Sequence, residues 1–390
     1  MFRVVLAGLA LGAAGPLAAQ SAGWGTRLEL RIGSADGDHD ALSRVSDVAV
    51  GRDGSIYVAL PQERVVRVFS AAGRFVRDIG RGGDGPGDFR SPDKLGWKGD
   101  SLWVSDHQLT RTSLFDRGGR FGSSCTFVWS SRSRIPLTYI PWQLLADGSV
   151  LGGKVRVPQP YSESSPVLLA EVRFTRSGRP IDTVAVLAAT HAGLVVERGR
   201  APPIIAAQPF RDDPLLAVSP DGSGIVIVNR DAATRRVGDA FVVTRLGPAG
   251  DTVFTRVYRY TARPLPVSEV ATTLEDLARG MRRVSRDRDL STRIRRAMYV
   301  PRFRTPIEEV VAGRDGTIWL RRESSGLTAR RWTVLDARGN LLRTVEVPVG
   351  TRVLQAEAGR LWGVQEDADG IPYVVRLRVV PRTRIPQRAP

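Results

Sequence analysis

The chain of 390 residues has a single cysteine, Cys125, which excludes an internal disulfide framework and any multi-cysteine metal cluster. Lysine is almost as scarce: Lys94, Lys98 and Lys154 stand against 54 arginines. Beyond the first twenty residues no run of 18 consecutive apolar residues occurs, so no membrane-spanning helix is expected in the mature chain. Catalytic signatures are missing as well. There is no G-x-S-x-G elbow and no H-E-x-x-H helix. The glycine-rich stretch from Gly80 to Gly87 lacks the Gly-Lys-Ser/Thr ending of a phosphate-binding loop.

What is present is globular in composition, with 42% hydrophobic and 25% charged residues, which excludes wholesale disorder. Fifty-seven basic against 40 acidic residues give a net charge of +17 at pH 7. The skew towards arginine reads partly as a coding bias. The field nevertheless favours anions, nucleic acid, lipopolysaccharide or a membrane surface at low salt. No zinc-finger spacing, homeodomain-like helix or single-strand-binding aromatic pattern accompanies it, so specific nucleic-acid recognition is not expected.

Residues 1–20, MFRVVLAGLALGAAGPLAAQ, have the layout of a secretory signal. Arg3 precedes an apolar run from Val4 to Ala14, and Gly15-Pro16 and small residues follow. Cleavage is expected between Ala19 and Ala22, with no cysteine nearby for a lipid anchor. A periplasmic or secreted, monomeric protein is implied. Cys125, in a strand with Phe127 and Val128, is expected to be a buried and inert thiol.

The most informative feature is an internal repeat. From Val45 the chain reads VSDVAV, GRDG, SIYVAL, RVVRVFS, AAG and RFVRDIG. Each apolar run is bounded by turn residues, so the unit predicts four short antiparallel strands. Asp53-Gly54 suits a tight turn, because glycine accepts positive φ and aspartate bonds its own backbone. Related units follow, each with a glycine-bearing turn after its first strand: Gly99-Asp100, Asp147-Gly148, Asp221-Gly222 and Asp315-Gly316. Tyr57, Trp103, Trp319 and Trp362 share one register in the second strand, taken by Leu151 and roughly Val226 elsewhere.

The expected blades are 45–80, 93–128, 141–187, 213–259, 307–347 and 352–380. The last lacks a strand, which residues 26–32 are expected to supply, joining the chain's two ends. The fold class expected is an all-β, six-bladed β-propeller of four-stranded antiparallel blades, with the N-terminal strand closing the last blade. A helical insertion at 264–300 and a Pro/Arg-rich tail at 381–390 complete it. A pair of β-sandwiches does not predict the recurring turn, and a seventh blade at 191–210 would have only two short apolar pieces. The repeated phrase, with the connector GRGGDGPGDF, resembles the six-bladed NHL-like and TolB-like propellers of exported bacterial proteins. That resemblance implies architecture and no particular chemistry.

In such a blade, the connections into each first strand and between second and third strands emerge on one face. They are long and unequal here, and binding residues collect on such loops. Six residues follow as ligand-binding candidates from topology: Asp106 and His107, Arg230 and Asp231, Arg321 and Arg322. In the insertion, Ser268 is a candidate N-cap, and Val270, Leu274, Leu277, Met281 and Val284 recur at helical spacing. Eight arginines between Arg279 and Arg296 decorate it, as a solvated face or an anion contact.

Some NHL-type lyases hold a metal by channel histidines. His39, His107 and His191 match the count but not the surrounding motifs. Asp36, Asp38, Asp40 and Asp47 have partial calcium-loop spacing, with Ala41 where glycine is wanted. With only Asn229 and Asn340 in the chain, a gluconolactonase-like metal ring is a poor match. No catalytic residue, metal or cofactor is therefore assigned. The function expected is a non-catalytic exported binding or scaffold propeller that engages a protein or an anionic envelope ligand through its loop-rich face. The alternative is a metal-assisted hydrolase or lyase with its site at the central channel.

Overall fold

A computed structural model describes residues 23–382, other than 38, 131–137, 156–166, 190–192, 199–200, 231–239, 284, 286 and 323–327. The expected leader, 1–20, and all but the first two residues of the tail lie outside the described residues.

Strand β1 (Trp24–Ile32) precedes a first sheet of β2 (Asp47–Val50), β3 (Ile56–Leu60), β4 (Val65–Phe69) and β5 (Phe75–Ile79). A second sheet contains β6 (Pro92–Lys98), β7 (Ser101–Asp106), β8 (Arg111–Phe115) and β9 (Phe121–Thr126). The third has five strands: β10 (Trp129–Ser130), β11 (Thr138–Leu144), β12 (Val150–Val155), β13 (Val167–Phe174) and β14 (Pro180–Ala189). A hairpin of β15 (Leu194–Arg198) and β16 (Ala201–Ala206) follows. The fourth blade-like sheet is β17 (Leu215–Val218), β18 (Ile225–Asn229), β19 (Ala240–Leu246) and β20 (Thr252–Arg259). After helices α1 (Val267–Met281) and α2 (Leu290–Ala297) come β21 (Ile307–Ala312), β22 (Ile318–Arg322), β23 (Ala329–Leu335) and β24 (Leu341–Pro348). The chain ends in β25 (Arg352–Glu357), β26 (Arg360–Glu366) and β27 (Pro372–Pro381).

The recurring turn has one local cause. Asp53, Asp147, Asp221 and Asp315 each accept the backbone N–H two residues on, at 3.0, 2.9, 3.1 and 3.1 Å. The glycine between takes φ of +84, +88, +69 and +80° respectively, a region closed to most side chains. This pins the register of the first two strands, and Tyr57 and Trp319 are buried on the second; Trp103 and Trp362, at the same repeat position behind other turns, are buried as well. Each such side chain contributes roughly 3 kcal/mol of apolar burial.

The six-bladed propeller is corrected by the sheet order. Four sheets stand as separate blades, while β21 to β27 and β1 form one eight-stranded sheet in the order β21-β22-β23-β24-β1-β27-β26-β25. The cause is β1, which runs antiparallel to β27 from Trp24↔Pro381 to Ile32↔Val374 and also meets β24 in parallel at Trp24↔Val345. By pairing on both sides, it fuses strands that the repeat divides between a fifth and a sixth blade. The halves of this sheet fold over one core, where Trp319, Trp332 and Val345 meet Val353, Leu361 and Leu377. Its end strands β21 and β25 lie against each other, so the sheet nearly closes. The architecture is thus a four-bladed propeller-like ring with a nearly closed eight-stranded sheet and two helices. Leu30 and Ile32 of β1, with Trp362, Val364 and Val374, also pack on the first sheet.

Candidate functional site

The insertion builds its own small core. The spacer at 191–210 forms the β15–β16 hairpin. Leu194 and Val196 of that hairpin pack against Val270, Ala278 and Met281 of α1 and against Leu290, Ile294 and Met298. Helical spacing thus places the apolar stripe on a hairpin. Val284 lies outside the described residues. Ser268 is not the cap: α1 starts after Pro266 and has no side-chain cap bond. Glu269, in the first turn, instead pairs with Arg304 from beyond the helices, a carboxylate where the helix dipole favours one.

Gln208 ties hairpin, helix and sheet together. Its amide donates to the carbonyls of Gly193 and Ala297, and its oxygen accepts the Tyr299 N–H at 3.1 Å. The Tyr299 hydroxyl donates to Asp212 Oδ2 at 2.8 Å, and Arg211 binds Asp213. Between these groups and the helices lies a cavity of about 480 Å³. Its walls include Phe210, Leu265 and Pro301 beside Arg230, Glu269, Arg304 and Glu308.

Arg230 is the unusual wall. It is 6% exposed, and its guanidinium donates to two main-chain carbonyls, Asp213 O at 2.7 Å and Ile307 O at 2.6 Å. Among the described residues it has no ion-pair partner. Burial lowers its pKa to about 10 despite the nearby acids Asp212 and Asp213. The other cavity-lining cations are matched, Arg304 by Glu269 and Arg211 by Asp213.

The sequence candidates divide between two places. Arg321 reaches Glu309 at 3.0 Å and Glu308 at 3.4 Å, and Glu308 lines the same cavity as Arg230. Arg322 ends β22 beside them; Asp231 lies outside the described residues. Asp106 and His107 are elsewhere, on the second sheet. Asp106 is buried and accepts the N–H groups of Arg90, Ser91, Gln108 and Leu109, which makes it a loop anchor. His107 Nδ1 lies 3.3 Å from Asp93 Oδ2. Burial raises Asp93 to about 6, against the pull of His107 and Lys94. Glu309 is raised by burial too.

The two described histidines, His39 and His107, have separate neighbours. His39 stacks on Phe75 at 3.9 Å, and His191 lies outside the described residues. Asp47 turns away from the 36–40 loop to accept the N–H groups of Val48 and Leu95, and Asp38 is outside the described residues. Among the described residues no three His, Cys, Asp or Glu side chains form a metal-sized group, and no helix is long and apolar enough to cross a membrane. Sequence reasoning missed Gln208, Arg211, Glu269, Arg304 and Glu308. The only available signal was the Asp212-Asp213-Pro214 run ahead of the fourth repeat.

The site and fold together define a class: a β-protein of blade-like sheets with a helix-capped, arginine-lined pocket. No family model matches the chain, and no curated protein matches it. Among solved structures it is similar to a member of the DUF4221 family from Bacteroides vulgatus, at 9% identity and TM-score 0.48 over 93% of this chain and 99% of that one. Virginiamycin B lyase from Staphylococcus aureus aligns at 10% identity and TM-score 0.39, over 92% and 100%. The PQQ-bound aldose sugar dehydrogenase from Streptomyces coelicolor aligns at 11% and 0.42, over 92% and 99%. These likenesses are of chain shape alone. The expected six-bladed NHL-like or TolB-like membership is overturned by the sheet order.

Proposed function

We propose that the chain binds a small organic acid in the helix-capped pocket, with the ligand's carboxylate on Arg230 and its apolar part against Phe210, Leu265 and Pro301. One observation carries this reading: a guanidinium buried in a cavity wall without a carboxylate partner among the described residues. Burying a cation is costly unless it is paired, and a bound anion supplies the missing charge in bidentate form. With export read from residues 1–20, the ligand would be met outside the cytoplasm. Calorimetric titration of the mature chain with hexanoate tests the reading. Arg230→Gln is expected to weaken binding at least about tenfold, and Arg230→Lys less, because a charged hydrogen bond is lost outright in the first and kept as a point charge in the second. No binding by about 10 mM, a very weak limit, or equal binding by the three proteins, sinks it.

A second reading, acid–base catalysis on the same face, is supported by the Asp93–His107 pair. A carboxyl near 6 beside an imidazole can exchange a proton at neutral pH. Its first test is the pH dependence of unfolding in the parent and in Asp93→Asn.

A further inference from the structure

The opposite face, where the short turns of the repeats gather, holds a larger cavity of about 600 Å³. Turn residues of five successive repeats reach it: Asp53, Asp100, Ala146, Asp221 and Arg314. The turn at 219–222 crosses the ring to close its floor, the Pro220 carbonyl accepting the Trp97 N–H at 2.8 Å and the Gly222 carbonyl that of Ala146 at 3.1 Å.

Tyr57 and Trp97 form one wall, edge to face, with ring centroids 5.0 Å apart. Three donors along this wall have no acceptor among the described residues. The Tyr57 hydroxyl makes no hydrogen bond to a described residue, although the residue is only 6% exposed. The indole Nε1 of Trp97 and the Nε of Arg77 are buried and unpaired. Arg77 donates through Nη2 to the Arg117 carbonyl at 2.5 Å and forms no ion pair with a described carboxylate. The neighbouring charges are already engaged. Arg117 holds Asp100 at 2.5 Å, Asp53 accepts the Ser55 N–H and hydroxyl, and Arg314 binds Glu357 at 2.6 Å. The indole and Arg77 Nε donors are sealed from the cavity itself. What the cavity offers is flat apolar ring surface, the open Tyr57 hydroxyl and one cation without a carboxylate partner among the described residues.

We infer that this turn-face cavity is a second ligand site, for an organic oxyanion carrying a ring, its acid group meeting Arg77 and the Tyr57 hydroxyl and its ring lying along Trp97. A phosphorylated aromatic and a phosphorylated sugar both join an oxyanion to a ring whose face can lie on an indole, and the Arg77 guanidinium and Tyr57 hydroxyl can donate to the phosphate of either.

Calorimetric titration of the mature chain with phenyl phosphate, glucose 6-phosphate and inorganic phosphate tests the site and separates the two ring types. At least one ring-bearing phosphate is expected to bind more tightly than inorganic phosphate. Tyr57→Phe, which removes one oxygen and leaves the ring, is expected to weaken that ligand about fivefold, and Arg77→Gln about tenfold or more, as for lost hydrogen bonds to a charged group. All of these titrations are made in the Arg230→Gln background, so that the helix-capped pocket does not contribute. The inference fails if neither ring compound binds better than phosphate itself, or if Tyr57→Phe and Arg77→Gln, both folded by circular dichroism, bind as the parent does.

Discussion

The two ends of the sheets are made differently. The turn-bearing end is built repeatedly from a few residues, an aspartate that bonds two residues ahead and a glycine at positive φ. The loop-bearing end is built from unequal connections, one of which carries two helices and a hairpin. Yet each end has a cavity with an arginine that lacks a carboxylate partner among the described residues, Arg77 at one and Arg230 at the other. Local regularity thus does not tell structure from function. In the turn-face cavity the special groups are the side chains that differ between repeats; in the helix-capped cavity they come from an insertion that no repeat contains.

The sharpest way to break this comparison is at a turn glycine. A Cβ on Gly222 would lie 2.6 Å from the Leu144 carbonyl oxygen and 2.7 Å from the Ala146 nitrogen, at φ +69°. Backbone atoms cannot swing aside, so steric overlap adds to the left-handed strain. Gly222→Ala is expected to cost roughly 3 kcal/mol or more. Gly99→Ala has a similar φ of +58° and open space; it is expected to cost only the strain, about 1 kcal/mol. Urea unfolding of both variants checks the difference. Equal losses would mean that the 219–222 turn does not press on the third sheet.

The next test separates anchors from binders on the loop face. Asp106→Ala strands four buried or half-buried N–H groups and is expected to cost about 2–4 kcal/mol. Arg230→Gln removes a buried cation with no ion-pair partner among the described residues, and is expected to cost under about 1 kcal/mol or to stabilise. Thermal unfolding of the two variants side by side decides. If Arg230→Gln is the more damaging, its two carbonyl bonds are its whole purpose and the pocket reading weakens.

Much of the fold could be read from local rules. The Asp-Gly turns, the alternating strands and the aromatic layer at Tyr57, Trp103, Trp319 and Trp362 depend on neighbours in sequence. The number of separate blades did not, because it rests on one ladder pair, Trp24 with Val345, between strands more than 300 residues apart. The site was legible only in part for the same reason. Arg230 and Arg321 were reached from topology, but Glu269, Arg304 and Gln208 matter through tertiary partners that no spacing encodes. Asp106 was chosen by the same topological rule and is a loop anchor, since position on a face does not say whether a carboxylate points to solvent or to four main-chain donors.

The smallest effect concerns Asp93, whose folded-state pKa of about 6 stands above its ordinary 3.8, chiefly through burial. Below about pH 4 both folded and unfolded chains hold the proton, and the contribution to stability is fully present. Between 4 and 6 the unfolded chain releases the proton while the folded chain keeps it, so stability falls as pH rises through the folded value. The Asp93 side chain is 32% exposed and faces His107, with Lys94, Asp47 and Asp106 close by. Solvent screening therefore reduces the full linkage to about 1 kcal/mol. Asp93→Asn is expected to remove that slope, so that urea midpoints of parent and variant converge at pH 4 and separate by pH 7 in favour of the variant. A constant offset at every pH would show that Asp93 titrates as an ordinary surface carboxylate. That outcome would remove the proton-exchanging pair from the loop face, leaving the two arginine-lined cavities as the chemical distinction between the ends.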